Sequence, residues 1–346
     1  MASLTRFGSR DIVNDITKVT TSTWTNNTNE LTAVYTSSAQ AALASPTQSG
    51  AHFVDVHLDA TTSSVQYSVA YGHKAGSGSE DFTAGTGGSG KSPSRNIYSQ
   101  YRQLAFGSET QNFNFTDYTP DDIYVININR ANYKHNLKPG SLNLTLASQS
   151  AVLHLTDDSV TATGSSTVTN AGRQFNIVSG SSGIRSGSLT VQVANSGSYG
   201  FFYPDSGFIV LNPAALDHFL IGGAGTANYG SVVPGVSSNT QDDNHIKLLD
   251  AIYSGSSFIV DSEEKISSTY YFARARNYEY NYTTNPSFTD TSGNVLINSM
   301  IDNPTVYITT VGMYNDAGDL LAVAKLSQPV TKDFTKEALI RVKLDY

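Results

Sequence analysis

The 346-residue chain has no cysteine, which excludes a disulfide scaffold and any zinc site built on thiolates. Charge is also scarce. Charged residues make up 14% of the chain, and the formal net charge of −8 comes without any dense Lys/Arg run. Clustered cations are what grip a phosphate backbone, so nucleic acid is not an expected partner. No apolar run approaches the roughly 20 residues of a membrane helix, and no membrane partner is expected. The opening Met1-Ala2-Ser3-Leu4-Thr5-Arg6 lacks the basic start and apolar core of a secretory signal. The expectation is a protein made and folded in a reducing cytosol, whatever its destination.

Hydrophobic residues, at 39%, fall below the usual globular share. Ser, Thr, Asn and Gly fill the gap. A disordered chain would pair low hydrophobicity with high net charge and few aromatics. This one has 20 Tyr and 15 Phe. Thr, Tyr, Val and Phe suit strands, and Gly, Asn and Ser suit the turns between them. The fold class expected is therefore mainly β (α+β). It would have antiparallel sheets or sandwich modules, a few short helices and long Gly/Ser-rich loops.

Alternation places the first strands. Val54, Val56 and Leu58 share one face and Asp55, His57 and Asp59 the other, and Val65, Tyr67, Val69 and Tyr71 repeat the pattern after a turn. The two read as a β-hairpin or part of a meander. Gly72–Ser92 and Gly222–Thr240 read as loops. Ser92 with Pro93 is a helix start, and Ile97, Tyr98, Tyr101 and Leu104 give that helix an apolar face. Ile123–Ile128 reads as a buried strand, Lys138-Pro139-Gly140 as a turn, and Leu142, Leu144 and Leu146 as one strand face. Short strands at 151–155, 174–178 and 189–193 follow between Ser/Gly turns. Phe208–Leu211 is another strand, with helices from Pro213 and around 245–252. The aromatic stretch 269–282, the alternation Val306, Ile308, Thr310, a hairpin turn at 315–319 and a final strand 338–344 complete the pattern. The organisation expected is 1–147, β-rich with a helix near 93–105; 148–205, a Ser/Thr-rich β module; and 206–346, a β domain ending in a hairpin.

Several motifs suggest chemistry, and each has a plainer alternative. Gly85-Thr86-Gly87-Gly88-Ser89-Gly90-Lys91-Ser92 satisfies the phosphate-loop pattern. A working loop needs a buried strand before it, and Ser77–Thr83 is not apolar, so a flexible loop is expected. Asp55, His57 and Asp59 could hold a cation with a fourth ligand, or form a solvated strand face. The remaining histidines are scattered, and no nucleophile-elbow pattern supports a Ser-His-Asp triad. The pairs Asp121-Asp122 and Glu263-Glu264 point to opposite faces in a strand and are expected at turns and on the surface. Asn114 and Asn281 sit in sequons that carry no weight without a signal peptide. Tyr270, Tyr271, Phe272, Tyr278, Tyr280 and Tyr282 form an aromatic stripe. It suits a protein interface, an ordinary β core, or stacking on sugars.

One stretch resembles a known family. Thr309 to Leu326, with Met313-Tyr314-Asn315-Asp316-Ala317-Gly318 turning into Leu320-Leu321-Ala322-Val323-Ala324-Lys325, is similar to a hairpin near the attachment domains of phage tail-fibre and baseplate proteins. Ser92–Tyr101, Asp121–Gly140 and Tyr199–Ala215, the last with Phe202-Tyr203-Pro204-Asp205-Ser206-Gly207, resemble structural proteins of contractile-tailed phages, including those of cyanobacteria. The resemblance implies a non-enzymatic virion subunit near the baseplate or fibre attachment, assembled in the host cytoplasm. Its partners would be other tail proteins, and it would be a homo-oligomer or multi-copy component. No cofactor, metal or catalytic residue is implied. The alternatives are a neck, collar or head-associated protein, or a glycan-binding receptor-recognition protein.

If the Gly85–Ser92 match is a loop and nothing more, Lys91→Ala leaves nucleotide affinity unchanged. Titration with a fluorescent ATP analogue checks this, and tight binding lost in the variant would overturn it.

Overall fold

The structure, a computed structural model, describes residues 5–25, 27, 30, 31, 35, 36, 41, 42, 53–57, 64–78, 92–116, 118–148, 151–161, 166–186, 198–220, 244–281 and 286–346. The protein is mainly β, with 48% strand, 15% helix and antiparallel sheets, one of them curled into a half-barrel. It divides into two compact units: unit 1 is 1–18 with 265–346, and unit 2 is 19–264.

The elements follow in chain order. First come β1 (Ile12–Ser22), β2 (Glu30–Leu31), β3 (Tyr35–Thr36), β4 (Ala41–Ala42), β5 (Phe53–His57) and β6 (Val65–His73). Next are α1 (Pro93–Phe106), β7 (Asp122–Ile128), β8 (Asn136–Leu137), β9 (Asn143–Ser148), β10 (Ala151–Asp157), β11 (Thr167–Thr169), β12 (Gly172–Ser181) and β13 (Ile184–Arg185). Then follow β14 (Gly200–Tyr203), β15 (Phe208–Leu211), α2 (Pro213–Leu220), α3 (Asn244–Gly255), β16 (Phe258–Ile259) and β17 (Asp261–Ala275). The chain closes with α4 (Ser299–Asp302), β18 (Val306–Tyr314), β19 (Leu320–Lys332) and β20 (Ala338–Asp345).

Unit 2 is organised around β7. Its run Ile123-Tyr124-Val125-Ile126 is buried on both faces, as an unbroken apolar strand requires. Ile123 and Val125 enter one core with Tyr98 of α1, Phe113 and Phe115. Tyr124, Ile126 and Ile128 enter a second core with Leu216 of α2 and Leu248 and Ile252 of α3. Its neighbours continue the partition. Val125 pairs with Ala70 on β6 and with Val210 on β15, and Ile126 with Val69 and Ile209. The sheet runs β2-β16-β9-β10-β12-β14-β15-β7-β6-β5-β3-β4. The boundary expected at 147/148 falls inside β9 and the one at 205/206 in the β14–β15 turn.

Local chemistry explains most element ends. Pro93 opens α1, while Ser92 directs its hydroxyl to the Gly76 carbonyl and leaves the helix end uncapped by a side chain. Gly107, at φ 63°, ends the helix by donating to the Gln103 carbonyl. Leu104, expected on the apolar face, is exposed, because the buried stripe runs through Ile97, Tyr98 and Ala105 instead. The 189–193 strand, the 79–91 part of the first loop and the Gly222–Thr240 loop lie outside the described residues.

The Tyr203–Phe208 turn binds three segments together. Asp205 takes a bidentate ion pair from Arg173, with Nη2 to Oδ1 at 2.6 Å and Nε to Oδ2 at 3.1 Å. Gly207 sits at φ 72°, and a Cβ there would collide with the Tyr133 ring. Gly293 has a comparable φ of 84° with open space around it. Gly207→Ala is therefore expected to cost more than about 2 kcal/mol, against about 1 kcal/mol for Gly293→Ala. Guanidinium denaturation of both variants checks this, and equal losses would exclude the Tyr133 collision as the cause.

Candidate interaction surface

The residues that suggested chemistry do not converge. Asp55 and His57 turn away from the buried Val54 and Val56, and Asp55 accepts from the Ser68 hydroxyl on β6. Asp59 and residues 85–91 lie outside the described residues. Among the described residues, no three His, Asp or Glu side chains come close enough to share a metal ion. His73 accepts from the Ala75 and Ser77 amides at 3.1 and 3.2 Å, shaping the turn after β6.

One member of each acidic pair is drawn inward, contrary to expectation. Asp122 opens β7 opposite His73, and its Oδ2 accepts from the Tyr71 hydroxyl at 3.3 Å. Loss of water there raises its pKa to about 6. Glu263 is 5% exposed and accepts from Asn136 Nδ2 at 3.4 Å. Both lie in strands paired on the side that faces protein, which local sequence does not reveal. Asn281 is also buried, accepting from Lys332 Nζ at 2.6 Å, whereas Asn114 is exposed.

Unit 1 has a different character. Of 47 buried core hydrophobics among the described residues, only Met313, Ala338 and Val342 belong to it. Of 24 exposed large hydrophobics, 18 do. They include Ile16, Tyr307, Leu321, Val323 and Leu339, with Leu321 at 69% exposure. A two-stranded ribbon, β18–β19, and the sheet β1-β17-β20 make up its strands. Charge is partitioned too. Unit 1 carries 11 Lys/Arg against 10 Asp/Glu, formally +1, while unit 2 carries 10 against 19, formally −9.

The six aromatics do not form one stripe. Tyr270 pairs with Lys343 and Phe272 with Arg341, so these four share a face, with both cations over the Tyr270 ring at 5.9 and 5.4 Å. Tyr271 pairs with Val342 on the opposite face and packs on Phe7 at 5.5 Å. Tyr278 and Tyr280 lie beyond β17 and are exposed. Their loop is held by Lys332, whose buried Nζ also reaches the Asn277 carbonyl at 3.1 Å. Tyr282 lies outside the described residues. Sequence reading missed the ribbon's exposed face. The apolar run at 320–324 was its signal, but it reads as a core strand until pairing is known.

Within unit 2, Gln111, Asn112, Asn114, Asn170 and Gln174 line a cleft of about 470 Å³ with Phe106 and Phe201 in its wall. It contains no charged side chain.

The class defined is a mainly β protein in which one unit holds nearly all of the core and the other displays most of the exposed apolar side chains. No protein family, curated protein or solved structure matches the chain.

Asp122 yields a pH dependence. A carboxyl whose pKa is raised on folding binds more protons folded than unfolded between about pH 4 and 6, so its contribution to stability falls as pH rises through that window. Asp122→Asn is expected to exceed the parent by about 1 to 2 kcal/mol at pH 7.5, the gain vanishing near about pH 3.5. Urea denaturation at both pH values checks this, and a gain independent of pH would exclude the carboxyl as its source.

Proposed function

We propose that the protein is a structural subunit of a bacteriophage tail, a baseplate wedge or tail-fibre connector that acts through protein–protein interfaces. The observation that carries this reading is the concentration of exposed apolar side chains on unit 1, together with its near-absence of core. Apolar side chains concentrated on the outside of a folded unit favour a surface that partners cover. Thr309–Leu326, the turn end of β18 and β19, is also the stretch that resembles tail-fibre and baseplate hairpins. Near-zero charge on that unit lowers the electrostatic cost of packing it against neighbours. The reading assigns no enzymatic step, and a neck, collar or head-associated position uses the same surface.

A glycan-binding receptor-recognition role has one observation in its favour, the uncharged amide-lined cleft of unit 2. Amides and hydroxyls around aromatic walls suit a neutral polyol, which offers donors and acceptors but no charge.

The test is native mass, alone and mixed with tail proteins encoded in the same genome, alongside detection of the chain in purified particles. Stable co-assembly and presence in particles are expected. A monomer that ignores every tail protein and is absent from particles would overturn the assembly reading. Glycan-array binding lost in Asn112→Ala/Asn114→Ala would then favour the second reading.

A further inference from the structure

Among the described residues, the β18–β19 ribbon pairs with no third strand. An isolated two-stranded hairpin is marginally stable in water, and this one exposes Tyr307, Tyr314, Leu320, Leu321 and Val323. Its faces follow from a break in alternation. Val306 and Ile308 lie half-buried, and a register shift between Ile308 and Thr310 lets Val311 and Met313 resume that face. Tyr307, Gly312 and Tyr314 are left on the exposed one.

The two outer edges differ. β19 carries Lys325, Pro329 and Lys332, and its residues 326–329 are unmatched where the register jumps from Val330 to Lys325. Proline, charge and irregularity are the devices that blunt a strand edge. β18, Val-Tyr-Ile-Thr-Thr-Val-Gly-Met-Tyr, has no charge and no proline. Among the described residues it pairs with β19 alone, so its other edge presents amides and carbonyls to whatever comes.

We propose that β18 pairs edge to edge and antiparallel with β18 of a second copy of this chain, giving a continuous four-stranded sheet across a two-fold axis. The proposal deepens the assembly reading and rests on unit 1 being the associating surface. Charge selects the occupant. A neutral strand meets its own copy with no like charges opposed, while an acidic or basic partner finds no complementary charge on β18. Unit 1, which carries β18, is formally +1, so two copies of that unit meet with little net charge between them. Antiparallel pairing also brings Tyr307 of each copy to the Tyr314 end of the other, on the exposed face, where aromatic side chains stabilise a sheet.

Sedimentation equilibrium on the full chain tests this, with Tyr307→Lys/Tyr314→Lys and Tyr307→Glu/Tyr314→Glu as variants. The parent is expected to dimerise. Each variant is expected to raise the dissociation constant at least about tenfold, because like charges are opposed, and mixing the two is expected to restore association. Hydrogen exchange on the parent avoids any folding defect in the variants. Amides of residues 306–314 should gain protection as concentration rises. A monomeric parent, association without that protection, or variants that associate like the parent and gain nothing on mixing would each overturn the strand pairing. A parent that co-assembles with tail proteins but does not associate with itself would sink this inference and leave the assembly reading standing.

Discussion

The fold of unit 2 depends on one constraint: β7 is apolar on both faces and must be covered twice. Water on either side of Ile123–Ile128 would leave several large side chains hydrated, at a cost of about 1.5 to 3 kcal/mol each. Covering one face brings α1, Phe113 and Phe115 against the sheet, and covering the other brings α2 and α3. The strands beside it inherit the demand. β15 sends Phe208 and Val210 to the first core and Ile209 and Leu211 to the second, and β14 divides Phe201 and Tyr203 from Phe202 in the same way. Turns that join these strands are correspondingly specified, as at Gly207 beneath Tyr133 and Asp205 against Arg173.

Unit 1 shows what happens when no such strand is present. Its strands are amphipathic at best, with charged and aromatic residues sharing a face at Tyr270, Arg341 and Lys343. Cation–π contacts and a buried Lys332 tie its pieces locally, yet few apolar side chains leave water. A unit built in this way gains stability when another surface covers it, which joins its folding to association. Low net charge and an unblocked strand edge are consistent with that economy.

Much of the secondary structure was legible in the sequence. The β5–β6 hairpin, β7, the 142–146 face, α1 to α3 and the β18–β19 turn all follow from alternation, helical spacing or turn residues. The aromatic stripe was misleading because adjacent strand residues face opposite ways. Tyr270 and Tyr271 are neighbours in sequence and on different surfaces in the sheet. Alternation through Val306, Ile308 and Thr310 failed at Thr310 because the register shift before it, invisible without β19, carries the apolar face on to Val311 and Met313.

By itself the sequence determined the class of fold and the position of its strands and turns, since burial period, proline, glycine and β-branched residues act over a few neighbours. Only the tertiary structure decided which strand lies beside which, that Val125 meets both Ala70 and Val210, and that the core is gathered in one unit while the other stays open. Those outcomes depend on register between segments more than fifty residues apart, and a one-residue slip there reverses every face without altering a single local preference.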